Sequence, residues 1–267
     1  MDARPIGVFD SGVGGLTVVS QMRRMLPGES IVYFGDLARL PYGSKSKQSI
    51  IQFSHQIMHF LLGQDVKAVI IACGTASSNS LEEMRSCYSL PIMGVVEPGA
   101  HAAANKTRNK RIGVIGTEAT VSSGAYSQLL AGLDPEIQVF SRACPLFVPL
   151  VEEGWFDDAV TREVIHRYLI PLKDEGVDTL ILGCTHYPLL RELIQEEMGE
   201  KVALVDPSQE AALLMKSFLI SHERLAEHTE GNFRFYVSDS TEKFQRLAEV
   251  ILDSPMMPVQ RIAIENY

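Results

Sequence analysis

Cysteine is scarce in this chain. The four residues, Cys73, Cys87, Cys144 and Cys184, are widely spaced, with no Cys-x-x-Cys and no paired Cys/His cluster. That spacing offers neither a disulfide scaffold nor a zinc-finger frame, and 267 residues bury enough core to fold without either. Such thiols are expected to be reduced, and any that matter to be reactive rather than structural. Long hydrophobic runs are missing too. Stretches such as 68–73 fall far short of the ~18–20 residues that span a bilayer. Asp2 and Asp10 flank a short apolar run near the start, with no small-residue cleavage site after it. No signal peptide is therefore expected, and the cytoplasm is the expected compartment. Positive charge is in deficit, 24 Lys+Arg against 33 Asp+Glu, for a formal net charge of −9. That field repels a phosphate backbone. The one basic stretch, 106–111, is interrupted by Thr107 and Asn109 and has no aromatic neighbours, so it reads as a solvated loop.

What is present is an alternation. Short β-branched apolar runs are separated by segments of helical period, the signature of an α/β protein with mainly parallel sheets. Strands are predicted at 6–9, 31–34, 66–72, 92–95, 112–115, 138–141, 179–182, 202–205 and 233–237. Helices are predicted at about 14–26, 48–62, 80–87, 122–131, 159–175 and 189–198, with two more after Pro207 and Ser238. The halves repeat. Ile6-Gly7-Val8-Phe9-Asp10-Ser11 aligns with Ile112-Gly113-Val114-Ile115-Gly116-Thr117, and Val69-Ile70-Ile71-Ala72-Cys73 with Leu180-Ile181-Leu182-Gly183-Cys184. Val95-Val96-Glu97-Pro98 aligns with Leu204-Val205-Asp206-Pro207 at nearly the same offset. Three matched points in one order imply two similar lobes, each a mainly parallel sheet flanked by helices. The tail has no counterpart and completes the first lobe most economically. The expected division is 1–97 plus 207–267 for a discontinuous first lobe and 98–206 for the second.

Cys73 and Cys184 hold the same place in each half, at the carboxyl end of a hydrophobic strand just before a predicted helix. Ligands bind at that edge of open α/β sheets, and a helix N-terminus favours thiolate. Alone, either cysteine would read as a small buried hydrophobe. As a matched pair, with Thr75 and Thr185 close behind them, they point to a site between the lobes. Two thiols across a cleft suit a reaction symmetrical in the two faces of its substrate: a proton leaves a stereogenic carbon on one face and another arrives on the opposite face. Asp10 and His186 supply a titratable group beside each thiol. Ser11 precedes a glycine-rich turn, Gly12-Val13-Gly14-Gly15, whose backbone N–H groups suit an anion. Thr17 stands where a dinucleotide fingerprint needs its last glycine, and no G-K-[ST] follows.

Other signals are bland. His55 and His59 lie four apart on a predicted helix, but with no third metal ligand evident they read as a surface pair. Cys87 and Cys144 read as spectators, and Glu152-Glu153 as a helix end or a functional loop. A binding protein that keeps the cleft without chemistry is a rival class. A thiol redox protein is a weaker one, because the cysteines lack a resolving partner.

Five blocks carry a family resemblance: 6–18 (IGVFDSGVGGLTV), Leu40-Pro41-Tyr42-Gly43, Ala72-Cys73-Gly74-Thr75-Ala76-Ser77, Gly116-Thr117-Glu118-Ala119-Thr120 and Gly183-Cys184-Thr185-His186-Tyr187-Pro188-Leu189. Spread over most of the chain in one order, they resemble the blocks of the aspartate/glutamate racemase family, most closely its glutamate-specific members. The resemblance implies two lobes with the site in the cleft between them. It also implies an enzyme that uses no cofactor and no metal, interconverts L- and D-glutamate, and supplies D-glutamate for bacterial peptidoglycan. By the same resemblance Cys73 acts on D-glutamate and Cys184 on L-glutamate, assisted by Asp10 and His186. Ser11, Tyr42, Gly43, Thr75, Thr117, Glu152 and Thr185 then bind substrate, together with Asp10, His186 and the backbone of Gly74. The family usually has Asn after its first cysteine; Gly74 implies one side-chain hydrogen bond fewer, about 1–3 kcal/mol unless water or a neighbour replaces it. An aspartate racemase of the same fold is the nearest alternative. The expected partner is the small-molecule substrate, with no nucleic acid and no membrane; a homodimer is left open.

Overall fold

The computed structural model describes residues 1–227, 229–255 and 258–267, without the side chain of 243. Strand and helix alternate as β1 (Ile6–Asp10), α1 (Leu16–Met25), β2 (Ile31–Gly35), α2 (Lys47–Leu62), β3 (Ala68–Ile71), α3 (Gly74–Cys87), β4 (Ile92–Gly94) and α4 (Val96–Lys106). The pattern then restarts with β5 (Arg111–Gly116), α5 (Glu118–Ser122), α6 (Ala125–Leu133), β6 (Gln138–Ala143), α7 (Phe147–Glu152), α8 (Ala159–Asp174), β7 (Thr179–Leu182), α9 (Arg191–Met198), β8 (Ala203–Val205) and α10 (Pro207–Ser221). The chain closes with β9 (Phe233–Val237), α11 (Thr241–Leu252) and β10 (Val259–Arg261).

The strands form two sheets, ordered β10-β9-β2-β1-β3-β4 and β6-β5-β7-β8, and every pairing is parallel. The run β2-β1-β3-β4 has the order of β6-β5-β7-β8, so the sequence repeat is a topological one. Strands β1, β2, β3 and β7 are buried throughout their length. Helices cover both faces of such sheets, which is why these strands are continuous apolar runs rather than alternating ones.

The structure corrects several predicted elements. The helix expected at 80–87 begins at Gly74. Its first turns bury Gly74, Thr75, Ala76 and Ser77, small residues that carry no hydrophobic periodicity. Helix α4 was hidden by Pro98 and Gly99, yet Pro98 falls in its first turn, where a missing N–H costs little. The tail holds two strands rather than one, because β10 pairs beside β9. The short helices α5 and α7 were also unanticipated.

Helix α4 packs on α6 and reaches β7 and β8, whereas α10 packs on α1 and reaches β4. Each therefore leans on the sheet it did not leave. One apolar cluster runs between the sheets, taking in Ile6, Val8 and Ile70 on one side and Ile112, Val114 and Ile181 on the other. Two further clusters lie around Phe34 and Phe60, and around Phe147 and Leu169. At about 1.5–3 kcal/mol for each large apolar side chain buried, these clusters dominate stability. Among the described residues no helix is long and apolar enough to cross a membrane.

One buried ion pair ties distant segments. Lys67 Nζ lies 2.6 Å from Glu29 Oε2, with the two side chains 0% and 2% exposed. The ammonium also donates to the carbonyls of Asp2 and Arg224, and Glu29 Oε1 accepts from the Ala226 N–H. Lys67→Met leaves a buried carboxylate without its counter-charge and is expected to cost about 3–5 kcal/mol. Lys67→Met/Glu29→Leu should recover part of that loss. Urea melts of both variants check this, and a single variant as stable as the parent would contradict it.

Candidate active site

The carboxyl ends of β1, β3, β5 and β7 converge on a cavity of about 380 Å³, within the size range of small-ligand pockets. Both Cys73 and Cys184 line it. So do Ser11, Tyr42, Gly43, Gly74, Thr75, Thr117, Glu152, Thr185 and His186. The site is thus drawn from both sheets.

The two thiols sit in different settings. Cys73 is the N-cap of α3, and its Sγ accepts from the Ala76 N–H at 3.4 Å and lies 3.5 Å from Ser11 Oγ. Burial, reinforced by the charge of Asp10, pushes its pKa up to about 12 against the pull of those two hydrogen bonds. At neutral pH it is a thiol. Cys184 was expected to precede a helix in the same way, but a short 3-10 helix, Tyr187–Leu190, comes before α9. Its Sγ is served instead by His186 Nδ1 at 3.8 Å. The imidazole Nε2 lies 3.5 Å from Glu152 Oε1. Burial alone would lower the pKa of His186; its hydrogen bonds to Cys184 and Glu152, with the charges of Cys184 and Asp10, carry it up to about 10. His186 therefore holds its proton at neutral pH.

Asp10 does not line the cavity. It is fully buried, its Oδ2 accepts from the Gly12 N–H at 3.0 Å, and its Oδ1 lies 3.5 Å from Thr185 Oγ1. That removes one N–H from the anion cradle expected of the glycine turn. The turn serves a different end: a Cβ on Gly14 would collide with Thr185 Oγ1 and His186 Nδ1, so the missing side chain lets the β7 end dock on the β1 end. Tyr42 is on the wall, but its hydroxyl donates to Asp36, a carboxylate that also accepts from Arg39 and Ser238. Thr75 Oγ1 and Thr117 Oγ1 are 2.8 Å apart, and Thr117 Oγ1 is 3.0 Å from Thr120 Oγ1, so a chain of hydroxyls bridges α3 and α5.

Gly74 has a steric explanation. A Cβ there would collide with the Gly183 carbonyl oxygen, so the bare backbone lets α3 rest against the end of β7.

Residues not singled out in advance also line the wall, among them Glu118, Pro145, Val148 and Pro149. Val148, Pro149 and Glu152 lie at helical spacing on α7, so one side of that short helix faces the cavity, and Pro145 precedes it. Cys144 is buried away from solvent and burial pushes its thiol up, in keeping with a spectator. In the basic stretch, Lys106 pairs with Glu210, Lys110 with Asp134 and Glu136, and Arg111 with Glu175, so acidic neighbours absorb its charge.

A thiol from one sheet and a sulfur–imidazolium pair from the other, on one small cavity, form a set of groups suited to moving protons. A family model for Asp/Glu/hydantoin racemases matches residues 6–215, and the chain belongs to that family. It is an amino-acid racemase. It is 46% identical over 266 residues to a glutamate racemase of Geobacter metallireducens, covering 99% of this chain and 98% of that one. Among solved structures it resembles a glutamate racemase isoform from Bacillus anthracis, with TM-score 0.95, 39% identity and 98% of each chain covered. It also resembles the Francisella tularensis glutamate racemase in complex with D-glutamate, with TM-score 0.94, 39% identity and 100% of each chain covered.

Two outcomes are expected. Gly74→Ala should destabilise by about 1–3 kcal/mol, since the obstacle is a backbone carbonyl, outweighing the helix gain of about 1 kcal/mol. An unchanged denaturant midpoint would contradict the close approach. For His186 the folded-state pKa, about 10, lies above the ordinary 6.5. Its protonation therefore stabilises the fold fully below pH 6.5, and the effect is lost as the pH rises to about 10. Thermal melts across that window should show the parent losing more stability than His186→Gln; parallel curves would argue against the raised value.

Proposed function

We propose that this protein interconverts L- and D-glutamate by two-base proton transfer between Cys73 and Cys184. In this reading it works in the cytoplasm and supplies D-glutamate for peptidoglycan. The observation that carries the reading is that both cysteines line one small cavity, each brought there by its own sheet. The glutamate racemases it resembles over their full length supply the substrate class. The chain is taken as two lobes, 1–97 plus 207–267 and 98–206, with the substrate held between them.

One sulfur must begin as thiolate and the other as thiol. Cys184, beside a protonated His186, is the base toward L-glutamate; its sulfur takes the α-proton and the C–H electron pair stays on carbon. Cys73, a thiol at neutral pH, then delivers its own proton to the opposite face and is left as thiolate. The product is D-glutamate, and the reverse reaction starts from that state. Exchange with solvent, relayed on one side by His186, resets the pair.

The α-hydrogen is only weakly acidic beside a carboxylate that is already anionic. Negative charge developing at that carbon needs donors held in place in a site that excludes water. Ser11, Thr75, Thr117 and Thr185 offer hydroxyls, α3 offers the N–H groups of its first turn, and His186 offers a cation. Asp10 acts as a positioning residue: it holds Gly12, faces Thr185 and keeps Cys73 protonated through its charge.

Cys73→Ala and Cys184→Ala should each lower turnover by about 10²–10⁴-fold or more, followed by circular dichroism with L-glutamate and no added cofactor. In deuterated water the product should gain deuterium at the α-carbon while remaining substrate stays protiated early in the reaction. Parental turnover in either variant, or equal early labelling of substrate and product, would overturn the two-base scheme. Faster turnover of aspartate would instead overturn the choice of substrate.

A further inference from the structure

Away from the cavity, α2 and α3 pack together, and one end of their outer seam carries three donor groups that the proposed reaction leaves unused. Among the described residues His55, Glu83 and Cys87 bring a ring nitrogen, a carboxylate oxygen and a sulfur within 4.8 Å of one another. Glu83 and Cys87 are four apart in the last turns of α3 and so share a face. Cys87 Sγ lies 3.5 Å from Glu83 Oε1, which in turn lies 4.0 Å from His55 Nε2. Zinc bonds of about 2.0–2.3 Å give a tetrahedron with edges of roughly 3.3–3.8 Å, so only small side-chain movements separate these atoms from a metal-binding arrangement.

Two further features favour a cation there. His55 Nδ1 lies 2.9 Å from the Tyr88 hydroxyl, and the rings pack at 5.7 Å between centroids. With Nδ1–H donated to Tyr88, the Nε2 lone pair faces Glu83, the outer-shell support that orients metal-bound imidazoles. The seam also lies at the C-terminal end of α3, where the helix carbonyls present partial negative charge. His55 and Glu83 keep 30% and 49% of their side-chain surface exposed, and Cys87 is exposed, so an ion enters from solvent without opening the fold.

We propose that His55, Glu83 and Cys87 form a site for a borderline divalent ion, Zn²⁺, that staples α2 to α3. The nitrogen, oxygen and sulfur set selects against Mg²⁺ and Ca²⁺, which take oxygen ligands. Cys87 releases its thiol proton to solvent on binding, and a water fills the fourth position. The pair His55 and His59, four apart on α2, thus contributes one ligand, while the partners that the sequence did not reveal come from α3.

The test uses the full chain, reduced and stripped with chelator, titrated with Co²⁺ as the spectroscopic probe and then with Zn²⁺. One equivalent of Co²⁺ should bind with a thiolate-to-cobalt charge-transfer band, Zn²⁺ should displace it, and Zn²⁺ should raise the melting temperature. Cys87→Ser should lose the band while melting like the parent in the absence of metal. His55→Ala should bind at least tenfold more weakly, and Tyr88→Phe about tenfold. Absence of the band in the parent would overturn the site. So would a band that survives Cys87→Ser, since the sulfur would then belong to another cysteine.

Discussion

The close approach of β7's end to the first sheet organises this molecule. Gly74 lies against the Gly183 carbonyl, and Gly14 against Thr185 and His186. A methyl group at Gly74 would push the Gly183 backbone away, and one at Gly14 would displace the Thr185 and His186 side chains. Because nothing intervenes, two strand ends that are distant in sequence share one cavity, and the Thr75–Thr117 hydroxyl contact ties the start of α3 to the end of β5 as well. Glycine here is a spacing device, against a backbone carbonyl at Gly74 and against two side chains at Gly14.

Burial and local charge then set the two sides of the cavity apart. Cys73 is pushed toward its thiol form by desolvation and by Asp10, and its weak hydrogen bonds with Ser11 and Ala76 only partly oppose this. The Cys184 side holds an imidazole that keeps its proton despite burial, because Cys184, Glu152 and Asp10 surround it. Four strands of each sheet share one order, while the electrostatics of the two sides differ. An acid on one side and a sulfur beside a cation on the other is the starting condition that a two-base reaction needs.

The rest of the architecture keeps the sheets in register. Helices α4 and α10 each cross to the opposite sheet, and an apolar cluster continues between the two. Lys67 and Glu29 pull the segments before β2 and β3 toward the stretch after α10, using donors and acceptors that would otherwise be buried alone. Packing of this kind sets where the strand ends sit, and placement of reacting groups governs proton transfer.

Much of this was legible in the residues themselves. Periodicity shows an α/β chain with mainly parallel sheets, the internal repeat matches the shared strand order, and the motif blocks mark Cys73, Cys184, Thr75, Thr185 and His186. These are local signals, written in strand-length apolar runs and in residues adjacent to them. What needed the tertiary structure was everything set by contact between distant segments: Asp10 behind the wall, the Tyr42 hydroxyl turned to Asp36, and Cys184 relying on a histidine where Cys73 relies on a helix. The start of α3 is not legible in the sequence because its buried face is made of small residues, which hide amphipathic period. The reason Gly74 is glycine belongs to the same class, since a carbonyl more than a hundred positions away is invisible until the chain has folded onto it.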